Sequence, residues 1–345
     1  MGGLTMMSQR NASRTLAVCM VALVLGSATS GYPAMAQGTA TLRLSHDQPI
    51  THPNTFQIDV FAKLVEQRSK GTLRVTTFPA GQLFSETDVL PALERGEVDI
   101  ALLQPSKVAS VVPAMLIKEL PFIFTSWNQV HTALDGEMGR IFSSAMEAHG
   151  IKRLFWIDVT SIDLFGTRSK LVRRPEDARG LRLRSFSEAL AATMRLWGAA
   201  PTVIPSADVY SAVQRGVVDG LISGVSFVER RWYEVTPYIS YIPITFTSQI
   251  IGMNLRKWNS LSPEQQQTLM QAAVEIQRMN RRETPQTNAD AYRRLKTELV
   301  KEWYEATPAD LALWAKAAAG MEEWYIQRVG PLGPAVLKAA KSTIR

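Results

Sequence analysis

The chain has 345 residues, 38 Lys and Arg against 31 Asp and Glu, and one cysteine. Its net charge of +7 comes without any basic run interleaved with aromatics, which excludes a nucleic-acid surface and favours encounter with anionic ligands. A single thiol excludes a disulfide framework, so stability has to come from apolar burial.

Taken in order, Arg10 and Arg14 precede an apolar run at 16–25, and Ala34-Met35-Ala36 follows. The run is too short to span a membrane and the small residues suit signal peptidase. Residues 1–36 are therefore expected to be a signal peptide cut before Gln37, with export to the periplasm. Cys19 would leave with it. The remaining chain of about 309 residues is more than one core usually serves, which predicts two lobes.

Residues 41–44 alternate as a first strand, and 55–69 carry Phe56, Val60, Phe61, Leu64 and Val65 at helical spacing. Lys70-Gly71 stops that helix, Leu73 and Val75 alternate in a second strand, a helix ends at Gly96, and 98–103 reads as a buried third strand. This β-α-β-α-β order predicts a parallel sheet flanked by helices, with ligands beyond the carboxyl ends of its strands. The same grammar returns in the second half: a strand near 154–159, another at 181–184, a helix at 188–197, a strand at 201–204, a helix at 207–215, and Val218-Asp219, echoing Val98-Asp99. Ser262-Pro263-Glu264 starts a long helical stretch running towards Tyr304, and Pro285 is expected to kink or interrupt it. Trp303, Tyr304, Trp314, Trp324 and Tyr325 are assigned to a long carboxyl-terminal helix that packs on its own lobes or dimerises; self-packing, and with it a monomer, is the expectation.

One residue stands out chemically. In Gly180-Leu181-Arg182-Leu183-Arg184, the leucines share one face of a short strand and the arginines the other. An arginine at a strand end, just before a helix, suits a two-pronged grip on a carboxylate. The bland alternative is a surface arginine bonded to a neighbour such as Glu188.

Several segments together resemble the solute-binding proteins of tripartite ATP-independent periplasmic (TRAP) transporters, of the DctP type. They are Ser45-His46-Asp47, Phe78-Pro79-Ala80-Gly81-Gln82-Leu83, Gly96-Glu97-Val98-Asp99, Leu120-Pro121-Phe122, Arg179-Gly180-Leu181-Arg182-Leu183-Arg184, Gly198-Ala199-Ala200-Pro201 and Gly216-Val217-Val218-Asp219-Gly220. The resemblance implies an α/β fold of two lobes, each a mainly parallel sheet flanked by helices, with a long helix bracing both. Lobe I is expected over 37–160 and 250–288, and lobe II over 161–249 and 289–345. It also implies closure on a small organic acid, delivered to integral membrane subunits of a TRAP transporter, with Arg184 matching the arginine that pairs with the ligand carboxylate.

Some positions depart from the better-known members. Leu221-Ile222-Ser223-Gly224 stands where they carry Gln-Glu-Asn-Pro, with Ser223 at the asparagine. A second arginine of those members falls here near Asp163-Leu164, so a single carboxylate clamp is expected and a monocarboxylate ligand with it. Phe186, in Arg184-Ser185-Phe186, is a candidate aromatic wall or a core residue. The remaining ligand candidates, each with a packing or loop-bracing alternative, are His46 and Asp47 after the first strand, Gln104 after the third, Trp156, Phe246 and Gln249. Hinge strands are expected near 158–161 and 247–252.

No HExxH, Gly-x-Ser-x-Gly elbow, phosphate loop or dinucleotide fingerprint occurs. No metal or cofactor is expected, and the protein is not expected to be an enzyme. Two alternatives stay open: the binding module of a sensor kinase, and a secreted hydrolase using acids such as Asp47, Glu86 or Asp158.

Overall fold

The computed structural model describes residues 39–343, so the expected signal peptide and Cys19 lie outside the described residues. The chain begins with β1 (Ala40–Ser45), α1 (Pro53–Arg68), β2 (Leu73–Phe78), α2 (Val89–Arg95) and β3 (Ile100–Leu103). Three helices, α3 (Pro105–Val108), α4 (Trp127–Asp135) and α5 (Glu137–Ala148), then lead into the long strand β4 (Ile151–Thr167). A second β-α-β-α-β segment follows: β5 (Arg182–Ser185), α6 (Glu188–Leu196), β6 (Ala200–Val203), α7 (Val209–Gln214) and β7 (Gly220–Ser223). After α8 (Ser226–Glu229) come the second long strand β8 (Tyr238–Asn254), α9 (Leu255–Asn259) and α10 (Pro263–Arg294). The chain closes with β9 (Glu302–Glu305), α11 (Pro308–Ala317), α12 (Met321–Val329) and α13 (Gly333–Lys341).

The Val-Asp echo has a structural cause. Gly96 ends α2 at φ +81° and Gly216 follows α7 at φ +73°, a left-handed turn that glycine adopts without steric cost. A few residues on, each aspartate braces the first strand of its own half: Asp99 Oδ2 accepts from the Arg43 amide at 2.8 Å, and Asp219 Oδ2 from the Arg182 amide at 2.9 Å. Both halves thus fix the entry of their last parallel strand in the same way.

The nine strands form one sheet in the order β2-β1-β3-β8-β4-β7-β5-β6, with β9 on β8. Within each half the three short strands are parallel, and each trio joins a long strand antiparallel, β3 to β8 and β7 to β4. The long strands pair with each other along their whole length and so pass through both lobes. Their register slips between Asp158 and Thr160, leaving Val159 as a bulge at the midpoint.

Alternating side chains supply two core clusters in each half, one per face of the sheet. On β3, Ile100 and Leu102 pack with α1 residues such as Phe61, whereas Ala101 and Leu103 face Val130 and Phe142 of α4 and α5. In α10, Leu269, Ala272, Ala273 and Ile276 enter the first half's core, Asn280, Thr284 and Asn288 are buried at the crossing, and Leu295 just beyond enters the second half's core. This single stripe at helical spacing is how one helix braces both lobes. Its start carries the anticipated signal, Ser262 and Gln265 in a reciprocal capping box with Pro263 in the first turn.

Two expectations need correction. Of the two outcomes expected at Pro285, interruption does not occur and the helix runs on to Arg294: proline removes one donor and crowds one carbonyl, and the packing of Asn280 and Thr284 before it and Asn288 after it outweighs that. The five aromatics share no single carboxyl-terminal helix: Trp314 lies in α11, Trp324 and Tyr325 lie in α12, and Trp303 and Tyr304 belong to no helix. They lie in β9, which pairs parallel with Tyr238–Tyr241 of β8, a partner some sixty positions earlier that local periodicity cannot reveal. Residues 321–340, expected with the second lobe, put Met321, Tyr325, Val336 and Leu337 into the core cluster shared with α4 and α5.

Asp163 on β4 is fully buried, with Oδ2 on the Ser161 hydroxyl and Oδ1 without a partner. Burial pushes its carboxyl up to about 8. The folded state therefore holds a proton that the unfolded chain has lost above about pH 4, and this group's contribution makes stability fall as pH rises from about 4 to about 8. His46, pulled down to about 4 by burial, has the opposite slope between about 4 and 6.5, so variant and wild type are compared at each pH. Asp163→Asn is expected to gain about 1 to 3 kcal/mol in urea unfolding near pH 8 and little near pH 5. Parallel pH profiles for the two proteins would contradict this.

Candidate functional site

The carboxyl ends of β1 and β3 and those of β5 and β7 face one another across the midpoints of β4 and β8. Between them lies a cavity of about 60 Å³, room for about four to six waters. Asp47 and Gln48 reach it from the end of β1, Gln104 from β3, and Arg184 and Phe186 from β5. Ser223, Ser226, Arg230 and Trp232 come from β7 and the segment after it. The bulged middle of β4 gives Val159, Thr160 and Ile162, and β8 gives Thr247 and Gln249. Gly224 is required here, because a Cβ would sit 2.1 Å from the Ser161 carbonyl oxygen.

Arg184 is the central group. Its side chain is buried, 1% exposed, yet no carboxylate lies within ion-pair distance of it among the described residues. Nε donates to the Ile204 carbonyl at 2.8 Å and Nη2 to the Ser206 hydroxyl at 3.2 Å. The guanidinium carbon lies 5.5 Å from the Trp232 ring centre and 5.8 Å from that of Phe186. Burial pulls the group down to about 10, against a rise from Glu86, so it stays charged at neutral pH. Nη1 has no hydrogen-bond partner among the described residues. The sequence placed Arg182 and Arg184 on one strand face, but Arg182 turns to Asp219 at the exposed strand end.

A second guanidinium lines the same cavity. Arg230 Nη2 lies 3.3 Å from Asp47 Oδ2, with both side chains mostly buried. Burial first and Glu86 second raise the Asp47 carboxyl, and Arg230 lowers it. Glu86 is itself 3.7 Å from Lys107 Nζ and accepts from the Ser206 amide at 3.4 Å. Glu119 also lines the cavity, buried, with Oε2 unpartnered and its carboxyl pushed up to about 7 by burial. Gln104 caps α3 without a side-chain capping bond, and Gln48 Nε2 donates to Gln249 Oε1 at 3.2 Å.

Of the residues singled out from the sequence, Arg184, Ser223, Gln104, Asp47, Phe186 and Gln249 meet in this cavity, and His46, Trp156 and Phe246 do not line it. His46 is buried beside Asp47 in sequence but turned away, with both ring nitrogens unpartnered. Trp156 packs edge-on against Phe142, and Phe246 against Trp127. Sequence reasoning missed Arg230, Trp232, Glu119 and Gln48. Arg230 follows a four-residue helix that gives no amphipathic signal, and its acidic partner is far away in sequence.

The acids weighed for hydrolysis are all engaged. Asp47 holds Arg230, Glu86 faces Lys107, and Asp158 sits outside the cavity with Oδ2 2.6 Å from His131 Nε2 and Oδ1 accepting from the Ser248 hydroxyl at 2.6 Å. In that group both partners bind the carboxylate and the serine does not reach the histidine, the reverse of a nucleophile activated by a base.

A two-lobed α/β molecule with a polar cleft at strand ends defines the class of binding proteins that enclose small solutes. The chain belongs to the bacterial extracellular solute-binding proteins of family 7, the DctP family, whose model matches residues 44–326. The C4-dicarboxylate-binding periplasmic protein DctP of Rhodobacter capsulatus is 27% identical over 331 residues, 95% of this chain and 98% of that protein. The 2,3-diketo-L-gulonate-binding periplasmic protein YiaO of Escherichia coli is 26% identical over 68% of this chain and 72% of its own length. Among solved structures, a TRAP periplasmic solute-binding protein from Sulfurospirillum deleyianum with bound succinate superposes with a TM-score of 0.82 at 27% identity, covering 89% of this chain and 99% of that one. Another, from Roseobacter denitrificans with bound β-D-glucuronate, gives 0.81 at 26% identity, over 88% of this chain and 99% of that one. The family and these neighbours are periplasmic binding proteins of transport systems, and small organic acids and TRAP membrane subunits are the partners of this class. Among the described residues, no helix is long and apolar enough to cross a membrane.

A buried charge without a counter-ion costs stability. Arg184→Met is expected to make the ligand-free protein more stable by about 1 kcal/mol in urea unfolding, as when a functional group is replaced by a better-packing one. A marked loss of stability would show that the guanidinium serves the fold instead.

Proposed function

We propose that this protein captures a small organic acid in the periplasm by pairing its carboxylate with Arg184, closes its lobes around it, and delivers it to the membrane subunits of a TRAP transporter. One observation carries the reading: a buried guanidinium, free of any carboxylate among the described residues, in the wall of a cavity between two lobes. A ligand carboxylate supplies the missing charge, and the bonds it makes in a water-poor cleft are stronger than neutral ones. Because Arg230 is already matched by Asp47, Arg184 is the lining guanidinium without a carboxylate at ion-pair distance among the described residues, which favours a monocarboxylate. Phe186 and Trp232 serve as an aromatic wall behind the guanidinium. The reading takes the protein as a binder without turnover, exported by a signal peptide over 1–36 and monomeric. Full burial of Trp314 and Tyr325 within the chain supports the last point.

Closure follows from the same geometry. We take lobe I as 37–160 and 250–288 and lobe II as 161–249 and 289–345, with α12 and α13 seated on lobe I. Contacts that then cross the cleft include Asp47 to Arg230, Gln48 to Gln249, His52 Nε2 to Glu229 Oε2 at 3.0 Å, and Glu86 to the Ser206 amide. The bulge at Val159 and the facing stretch 247–252 of β8 are the hinge. Ligand binding favours the closed arrangement because only there do groups from both lobes reach the acid.

A thermal-shift screen against organic acids identifies ligands by mass-action stabilisation, and calorimetry then measures them. Arg184→Ala is expected to weaken the best acid by about 2 to 5 kcal/mol, and Arg184→Lys to fail similarly because a point charge cannot reproduce the planar fork. Near-unchanged affinity in Arg184→Ala sinks the assignment. Small-angle scattering is expected to show a smaller radius of gyration with saturating ligand, and identical profiles would count against closure.

A further inference from the structure

The cleft contains two cavities whose linings share one ion pair. Outside the 60 Å³ inner cavity lies a chamber of about 510 Å³ lined by Pro49, Ala80, Ser85, Glu86, Pro205 and Asp208, among others. The residues that line both spaces are Asp47 and Arg230, joined at 3.3 Å. Asp47 comes from the end of β1 in the first half of the sheet, and Arg230 from the segment after β7 in the second. The pair is therefore a partition built across the cleft.

We propose that the Asp47–Arg230 pair sets specificity: it closes the inner cavity to acids that extend into the outer chamber, and it neutralises the one other guanidinium that a second ligand carboxylate would need. This rests on the reading of Arg184 as the carboxylate clamp. A short monoacid fits the inner cavity, where it meets Arg184 and leaves the pair intact. A diacid places its distal carboxylate at the partition, where Asp47 occupies Arg230 and Glu86 stands behind it, so the newcomer meets like charge. Discrimination here comes from a repulsive element, the more economical way to reject a close analogue. Burial and Glu86 both raise the Asp47 carboxyl and Arg230 lowers it, so the 3.3 Å contact with Arg230 is the interaction that favours the charged form of the pair.

The experiment compares butanoate and succinate, which share a four-carbon chain and differ in one carboxylate, by calorimetry on the full mature protein. Wild type is expected to prefer butanoate. Asp47→Asn removes the competing charge and releases Arg230, and the ratio of succinate to butanoate affinity is expected to rise about tenfold or more. In Asp47→Asn combined with Arg230→Gln that gain is expected to disappear, because the receiving cation has gone while a neutral pair of similar size keeps the local packing. Wild type preferring succinate, no relative gain for succinate in Asp47→Asn, or a gain that survives in the double variant each overturns the proposal. Asp47→Ser with the same readout covers the case in which the asparagine variant does not fold. Arg184→Ala run in parallel separates the two readings: if acid binding survives that change, the clamp itself is wrong. If binding depends on Arg184 but the ratio does not move with Asp47, only the partition is wrong.

Discussion

The structure turns on a positive charge placed where the fold gives it no partner. Arg184 is carried into the interior by a strand whose other face is anchored by Leu183, and it is held by one backbone carbonyl, one hydroxyl and two aromatic rings. Those contacts fix the fork and satisfy part of its donor capacity, but none supplies negative charge. Elsewhere in the cleft the opposite holds, with Arg230 matched by Asp47 and Glu86 set near Lys107. This contrast within one cavity is what supports the proposed binding role of Arg184, with its neighbours as the frame around it.

The sheet explains why this charge lies between two halves, as the proposed closure requires. Each half builds its own parallel trio, braced by an aspartate on the first strand's backbone, and each has a core on both faces of the sheet. Among the described residues, the two long strands and α10 run through both halves. Where they cross, apolar packing gives way to polar contacts: Asn280 bonds the backbone of Asp158 on both sides, and the Tyr292 hydroxyl meets Thr160. Directional bonds of this kind hold a defined geometry at a place where little apolar surface is locked, which suits a segment that bends.

Much of this was legible in the chain. Period-2 and period-3.6 patterns with their glycine stops located both β-α-β-α-β segments, because these elements are specified by neighbours a few residues apart. Arg184 was legible for the same reason, since strand alternation alone separates it from Leu183. What escaped was decided by distant partners. Residues 302–305 became a strand because β8 offers them an edge. Arg230 became a cleft residue because β1 delivers Asp47 opposite it, a second guanidinium that local pattern does not reveal. His46, Trp156 and Phe246 follow or lie on the right strands but point to the other side of the pleat or into helix packing, a one-residue distinction that pattern reading does not resolve at strand ends.

The account is tested most directly by a crystal structure of the protein grown with a short monocarboxylic acid. It predicts the ligand carboxylate in the inner cavity, about 2.7 to 2.9 Å from the Arg184 guanidinium, with Asp47 still on Arg230. A carboxylate bound anywhere else, with Arg184 engaging only Ile204 and Ser206, would contradict it.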